Sequence, residues 1–331
     1  MYDLSKSNCM PIHFSGFRMS NGPAEGVYFA SWGCNYSSTG DGLDLANVDC
    51  KCVLLCFVQP DCAYAPGSQS FSGTGIQFSS DFGVVRSAVD KLRSKGTLVY
   101  LSVGGGSYQN WAGRKVSNCV ALAKDLHCDG IDIDWEKTFA DRQEAINVIT
   151  EFSAQTWQNK LKLSAAVWST GAYDNNGDTY AGLWKDVLAK TGQMLDMIQV
   201  MAYDAGPSYD PLQAFTSYRQ VYNGHILLGM EVGKPGWDPD MNNPTILSEN
   251  QVSKIADFIK TQQKAGWFVW EYFKQGAPNF QRVREICRSK LAQQPSAPQP
   301  APSPAPSASP ASKIKCPYCS NTLQVTLTKS T

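Results

Sequence analysis

Eight short apolar runs recur along the chain, and helical stretches separate most of them. The runs are GVYFAS from Gly26, CVLLCFV from Cys52, TLVYLSV from Thr97, GIDIDW from Gly130, LKLSAAVW from Leu161, LDMIQVMAY from Leu195, HILLGMEV from His225 and WFVWEY from Trp267. Each is strand-like in length. Strands that read as continuous apolar segments are buried on both faces, as in parallel sheets covered by helices. Between them, Val85, Ala88, Val89 and Leu92 recur at the spacing of one helix face, as do Val252, Ile255, Ala256 and Ile259. Ser248 with Gln251 has the spacing of a capping box that starts the second of these helices. The link between runs one and two is loop-like, with room for at most a short helix. Eight strands alternating with helices over about 265 residues predict an α/β fold, a (β/α)8 TIM barrel. A doubly wound open sheet is the competitor, but Gly104-Gly105-Gly106 lacks the spacing of its phosphate-binding loop.

One boundary is plain. PSAPQPAPSPAPSASP, from Pro295, cannot build a core and reads as an extended spacer. The expected organisation is an N-terminal segment 1–24, a barrel domain 25–292, a Pro/Ala/Ser-rich linker 293–312 and a tail 313–331. The tail carries Cys316-Pro-Tyr-Cys319, half of a zinc-ribbon knuckle, which fits a metal or redox role, an intermolecular anchor or an incidental pair. The linker and tail suggest attachment to a larger assembly.

Charge narrows the partners. Lys+Arg and Asp+Glu both number 29, which argues against nucleic acid or an anionic membrane surface. No window approaches the ~20 apolar residues of a membrane span. The N-terminus lacks the basic start and apolar run of a secretory signal, so either export does not use that route or the signal is not in this sequence. Eleven cysteines are present. Several fall in apolar runs, and a mostly reduced set is expected, with a bridge within the Cys34 to Cys62 region left open.

The most informative stretch is Asp129-Gly-Ile-Asp132-Ile-Asp134-Trp-Glu136. Side chains alternate along a strand, so Asp132, Asp134 and Glu136 share one face while Ile131, Ile133 and Trp135 share the other. In a parallel barrel the acid face points to the axis, and Glu136 lies at the C-terminal end, where barrel enzymes work. Three carboxylates side by side cannot all ionise freely, so at least one pKa rises and a carboxyl can stay protonated as a general acid. A metal site would usually want histidine, and the chain has three. No cofactor and no metal is expected.

These residues carry a family resemblance. Asp129, Asp132, Asp134 and Glu136 match the DxxDxDxE signature of glycoside hydrolase family 18, the chitinase family. Ser102-Val103-Gly104-Gly105 resembles its SxGG, Met201-Ala202-Tyr203-Asp204 its MxYD, and Gly266 to Trp270 the segment carrying its active-site tryptophan. The resemblance implies that Glu136 protonates the glycosidic oxygen while the substrate's own 2-acetamido oxygen attacks the anomeric carbon. It gives Asp134 the acetamido N–H, Asp132 the tuning of Asp134, and Tyr203 the acetamido carbonyl. Trp270 would floor the subsite, with Met201, Asp204, Tyr28 and Phe57 around it. Ser102 and its glycines would support the acid strand.

The short link between the last two runs leaves no room for the α+β insertion of many exo-acting relatives, which predicts an open groove and endo-type cutting. Tyr108, Trp111, Trp168 and Trp237 lie in or beside loops where they could stack sugars, and Glu231 ends the seventh run. After Glu136 the chain reads Lys137-Thr138-Phe139 rather than the Tyr-Pro of close relatives. Expected partners are chitin or N-acetylglucosamine oligosaccharides. An endo-β-N-acetylglucosaminidase on N-glycans and a non-catalytic chitin-binding or structural protein are the alternatives.

Overall fold

The computed structural model describes residues 24–138, 141–174, 180–205, 209–233 and 247–293, and the backbone of two short strands beyond residue 311. The eight apolar runs all form strands: β1 (Ala24–Ala30), β2 (Cys52–Val58), β3 (Leu98–Gly104), β4 (Gly130–Asp134), β5 (Lys162–Trp168), β6 (Met197–Met201), β7 (His225–Glu231) and β8 (Ala265–Trp270). They close into one barrel in chain order. Every pairing is parallel. The barrel shuts where β1 pairs β8, with Ala24 opposite Gly266.

Among the described residues, seven helices follow the strands: α1 (Phe82–Ser94), α2 (Val116–Asp125), α3 (Arg142–Gln158), α4 (Leu183–Thr191), α5 (Pro211–Arg219), α6 (Glu249–Thr261) and α7 (Phe280–Ala292). Between β1 and β2 there are only short 3-10 turns, Ser31–Gly33, Gly40–Gly42 and Asp44–Asn47. Ser248 and Gln251 form the reciprocal capping box at the start of α6. The predicted apolar stripes of α1 and α6 are their buried faces.

Alternation along each strand divides the core in two. Tyr28, Leu54, Tyr100, Met197, Leu227 and Phe268 fill the barrel interior. Their neighbours Val27, Val53, Leu55, Ile131, Ile133 and Val269 form the layer under the helices. Each fully buried aliphatic side chain contributes roughly 1.5–3 kcal/mol, so the outer layer is the larger reservoir of stability.

Charge clamps the start of β1 to α7. Glu25 on β1 is buried, and Arg288 on α7 grips both of its carboxylate oxygens, at 2.9 and 3.0 Å. The same guanidinium holds Asp49 at 2.9 Å. A buried carboxylate needs such a partner, because removing it would leave an uncompensated charge.

Residues 293–331 form a separate unit. Within it, β9 (Ser312–Lys315) pairs antiparallel with β10 (Thr322–Val325). Cys316 and Cys319 lie outside the described residues. The eight described cysteines are all thiols, so no bridge closes between Cys34 and Cys62. Among the described residues, no helix is long and apolar enough to cross a membrane.

Candidate active site

The acid row stands as the alternation of β4 requires. Ile131, Ile133 and Trp135 pack outward into the helix layer. Asp132 and Asp134 are buried on the opposite face, and Glu136 follows just past the strand end, half-buried. The three differ in environment.

Asp132 sits deepest. It accepts hydrogen bonds from Ser164 Oγ at 2.7 Å, Ser102 Oγ at 2.8 Å and Tyr28 Oη at 2.9 Å. Strand register explains this cradle: Ser102 and Ser164 are the residues directly opposite Asp132 on the two flanking strands. Burial pushes its pKa up, and the three hydroxyls pull it back. Hydroxyl donors favour the ionised form, so the cradle opposes the effect of burial on Asp132. Gln199 on β6 adds a fourth donor when its carboxamide is turned with nitrogen towards Asp132 Oδ1, at 3.2 Å.

Asp134 has no such cradle. Its Oδ1 is buried without a hydrogen-bond partner, and its carboxyl bonds to that of Glu136. Burial, then the neighbouring charges of Glu136 and Asp132, hold its pKa well above the usual carboxylate range. Burial also raises Glu136, against the pull of the Gly106 backbone N–H and of Asp134. Two carboxyls in hydrogen-bond contact must share a proton. The coupled pair thus stands beside the cradled Asp132.

Backbone details make this approach possible. Gly105 N–H donates to the Asp134 carbonyl at 2.8 Å. A Cβ on Gly104 would stand 2.0 Å from that same carbonyl oxygen, and one on Gly105 would stand 2.8 Å from the Phe57 ring; both residues have positive φ. The SxGG segment thus supplies a donor to Asp132 and lets β3 lie against the acid strand. Gln109 latches the far side, donating to the Glu136 carbonyl at 3.0 Å while accepting from Thr138 N–H at 3.2 Å. Lys137, the departure after the acid, pairs with Glu144 on α3 at 2.7 Å.

Aromatic rings wall the site. Tyr28, Phe57 and Trp270 pack mutually, with Phe57 and Trp270 stacked at 5.7 Å and Tyr28 edge-on to Trp270 at 5.6 Å. Trp32, half exposed, extends the row by stacking on Phe57 at 6.3 Å. Tyr203 packs edge-on to Phe268 at 6.2 Å, and the charges of Asp134 and Glu136 act on its hydroxyl. Met201 is half-buried against the same interior cluster. Asp204, exposed, bonds to Glu231. Glu231 pairs with Lys274, whose ammonium lies 5.7 Å from the centre of the Trp270 ring. Burial lifts the Glu231 pKa to about 7, with Lys274 opposing.

A closed parallel barrel carrying this acid row beneath an aromatic wall is an arrangement for protonating a leaving group on a stacked ring. The model of Glycosyl hydrolases family 18 matches residues 26–225. The chain belongs to that family. Chitinase 1 of Aphanocladium album is 28% identical over 220 residues, 58% of this chain and 50% of that one. The chain therefore spans about half the length of this curated relative. Among solved structures, a family 18 chitinase from Pseudoalteromonas aurantia superposes with a TM-score of 0.60 at 17% identity, covering 80% of this chain and 99% of that one. The spore cortex-lytic enzyme SleL of Bacillus megaterium gives 0.57 at 10% identity, covering 81% of this chain and 75% of that one. At such identities the structural likeness concerns the fold.

The loop aromatics singled out in the sequence separate here. Trp111 is fully buried beneath Gly104, so it packs the core and cannot stack a sugar. Tyr108 is half-buried, its hydroxyl donating to the Gly75 carbonyl at 2.9 Å. Trp168 is half-buried between Trp135 and Tyr180. Trp237 lies outside the described residues. Ser164, Gln199, Gln109, Trp32 and Lys274 were not singled out. Ser164 had a signal, a small polar residue inside an apolar strand; the others had none.

Proposed function

We propose that the protein is a chitinase that cleaves β-1,4 links between N-acetylglucosamine units by a retaining, substrate-assisted route. The observation that carries this reading is the hydrogen-bonded Asp134–Glu136 pair beside the cradled Asp132. A retaining glycosidase with a carboxylate nucleophile holds its two carboxyl groups about 5–5.5 Å apart. Asp134 stands two residues before Glu136 on the same face of one strand and is coupled to it, which supports a helper of the acid rather than a nucleophile opposed to it. The substrate's own acetamido oxygen then supplies the attack, and being tethered it loses little orientational freedom.

In this reading the proton moves as follows. At rest the two carboxyls of the pair share it. When an N-acetylglucosamine unit enters, its acetamido N–H donates to Asp134 and favours the ionised carboxylate. The shared proton passes to Glu136, which delivers it to the glycosidic oxygen. Ionised Asp134 then stabilises the positive oxazolinium that forms. Tyr203 holds the acetamido carbonyl. Trp270 floors the subsite, Tyr28 and Phe57 support it, and Met201 and Asp204 line its edge. The acid is thus armed by the N-acetyl group itself. Only 13 residues, 234–246, separate the described ends before α6, which supports an open groove and endo-type cutting. Residues 313–331 read as an attachment segment.

Hydrolysis of fluorogenic chitobiose and chitotriose reporters tests the reading. Turnover, with Glu136→Gln retaining oligomer binding and losing about 10²–10⁴-fold in rate, is the expected result. Cleavage of N-glycans without cleavage of chitin oligomers would move the assignment to an endo-β-N-acetylglucosaminidase. Binding without any turnover would move it to a chitin-binding protein.

A further inference from the structure

Glu231 and Lys274 form an ion pair at the barrel mouth, and the glycosidase chemistry uses neither. Glu231 ends β7 directly opposite Trp270 on β8. One residue on, Val232 N–H donates to the Trp270 carbonyl at 3.0 Å, so the two strand ends are tied in register. Lys274 reaches back from the turn after β8 and pairs with the Glu231 carboxylate. The two side chains are 7% and 16% exposed, which makes the pair a dry one. The Lys274 ammonium lies over the Trp270 ring, 5.7 Å from its centre.

The turn that carries Lys274 has little freedom. Tyr272 N–H donates to the Tyr28 carbonyl at 3.0 Å, and Phe273 N–H to Glu271 Oε2 at 3.0 Å. The Phe273 ring packs edge-on to Phe29 at 5.0 Å. Past Lys274 the backbone lies against the end of β7. A Cβ on Gly233 would stand 2.5 Å from the Gln275 carbonyl oxygen, and one on Gly276 would stand 2.8 Å from the Gly233 nitrogen. Lys274 is thus aimed by backbone contacts on both sides, and Glu231 fixes the end of its long side chain. Replacing a buried ion pair by apolar residues is often neutral for stability, so stability alone does not account for this one.

We propose, on the reading that Trp270 floors the sugar subsite, that Lys274, held by Glu231, is a positioning residue that sets the tilt of the Trp270 ring. Three neighbours bound that ring: Phe57 stacked at 5.7 Å, Tyr28 edge-on at 5.6 Å and the Lys274 ammonium. Aromatic contacts tolerate a wide range of offsets, so the first two leave the indole free to slide. A cation drawn to the electron-rich face adds the third, fixed point. Glu231 balances the charge, so no net cation lies beneath a sugar that turns positive in the transition state. Presetting the ring removes the cost of ordering it when the sugar binds.

The test uses the full chain, with Glu136→Gln added where binding is measured without turnover. Lys274→Met should weaken chitotriose binding about 3–10-fold by calorimetry. In the active chain it should raise KM by the same factor with kcat near the parent value, the mark of binding lost equally from ground and transition states. Lys274→Arg, which keeps the cation, should restore most of the affinity. A Met variant that melts lower yet binds as the parent does would overturn the inference and leave the pair a structural contact. So would a fall in kcat at unchanged KM, or an Arg variant that binds no better than Met. If Lys274→Met does not fold, the double variant Glu231→Gln, Lys274→Met, which leaves no unpaired buried charge, takes its place. A parent chain that neither binds nor cleaves chitotriose would overturn the chitinase reading and this role together, whereas normal parent turnover beside an unchanged Met variant strikes Lys274 alone.

Discussion

Tyr28→Phe isolates a single hydrogen bond at the centre of the acid row. The ring of Tyr28 packs on Trp270 and Phe268 at 5.6 Å, and phenylalanine keeps both contacts. Only the hydroxyl bond to Asp132, 2.9 Å long and buried, is lost. A hydrogen bond to a charged group contributes about 1.5–3 kcal/mol. At 1.36 kcal/mol per pKa unit, its loss raises Asp132 further by about 1–2 units. The sign follows from the donor's role: the hydroxyl stabilises the ionised form, so without it Asp132 takes up a proton at higher pH. A protonated Asp132 no longer holds the shared proton in place by its charge. The acid limb of kcat/KM on a chitotriose reporter should therefore move up by about 1–2 pH units, with the alkaline limb unchanged. Ser102→Ala and Ser164→Ala should shift the same limb in the same direction, since each removes one donor from the same carboxylate. An unshifted acid limb in Tyr28→Phe, with activity lost equally at every pH, would refute the cradle and reduce Tyr28 to packing.

Other consequences can be checked alongside. Glu231, held at about 7, lies above the ~4.3 of an unfolded glutamate. Its contribution to stability is therefore complete below about pH 4 and is lost as pH rises to about 7, on the order of 3 kcal/mol. Urea unfolding across that window should show Glu231→Gln with a flatter pH dependence than the parent; parallel curves would contradict the assignment. Gly104→Ala must fit a Cβ 2.0 Å from the Asp134 carbonyl oxygen, and should cost on the order of 4 kcal/mol or more, read as loss of soluble folded protein. Trp32→Ala should raise KM about 3–10-fold for chitin hexamers and less for dimers, as the loss of a stacking ring worth about 1 kcal/mol; equal effects on both lengths would remove Trp32 from the groove. Polymer with the N-acetyl groups removed should be cut at least 10-fold more slowly than chitin, and equal rates would end the substrate-assisted reading.

The barrel was legible because parallel strands covered on both sides must be apolar throughout, and eight such runs leave few architectures. The faces of β4 were legible for a similar reason: a period of two sorts Asp132, Asp134 and Glu136 from Ile131, Ile133 and Trp135 without further knowledge. The partners of these acids were less visible. Ser164 and Gln199 reach Asp132 from strands 32 and 67 residues further along, as the positions show, and only barrel register brings them level. Trp111 was misplaced because a tryptophan in a post-strand loop looks like a groove residue, whereas here it fills the space beneath Gly104. Trp32 and Lys274 belong to loops whose paths no local pattern specifies.

The bond between Arg288 and Glu25 spans almost the whole barrel domain. During synthesis the guanidinium partner of Glu25 emerges more than 260 residues after it. The first strand must wait almost as long for its neighbour β8. At about 5–20 residues per second, that is at least ~10 s in which β1 has an open edge and a charge without its clamp. Any nascent half-barrel must keep that edge wet, and burying Glu25 becomes favourable only when the last helix arrives. A chain released before Arg288 is made should be recognised by the cell as unfinished.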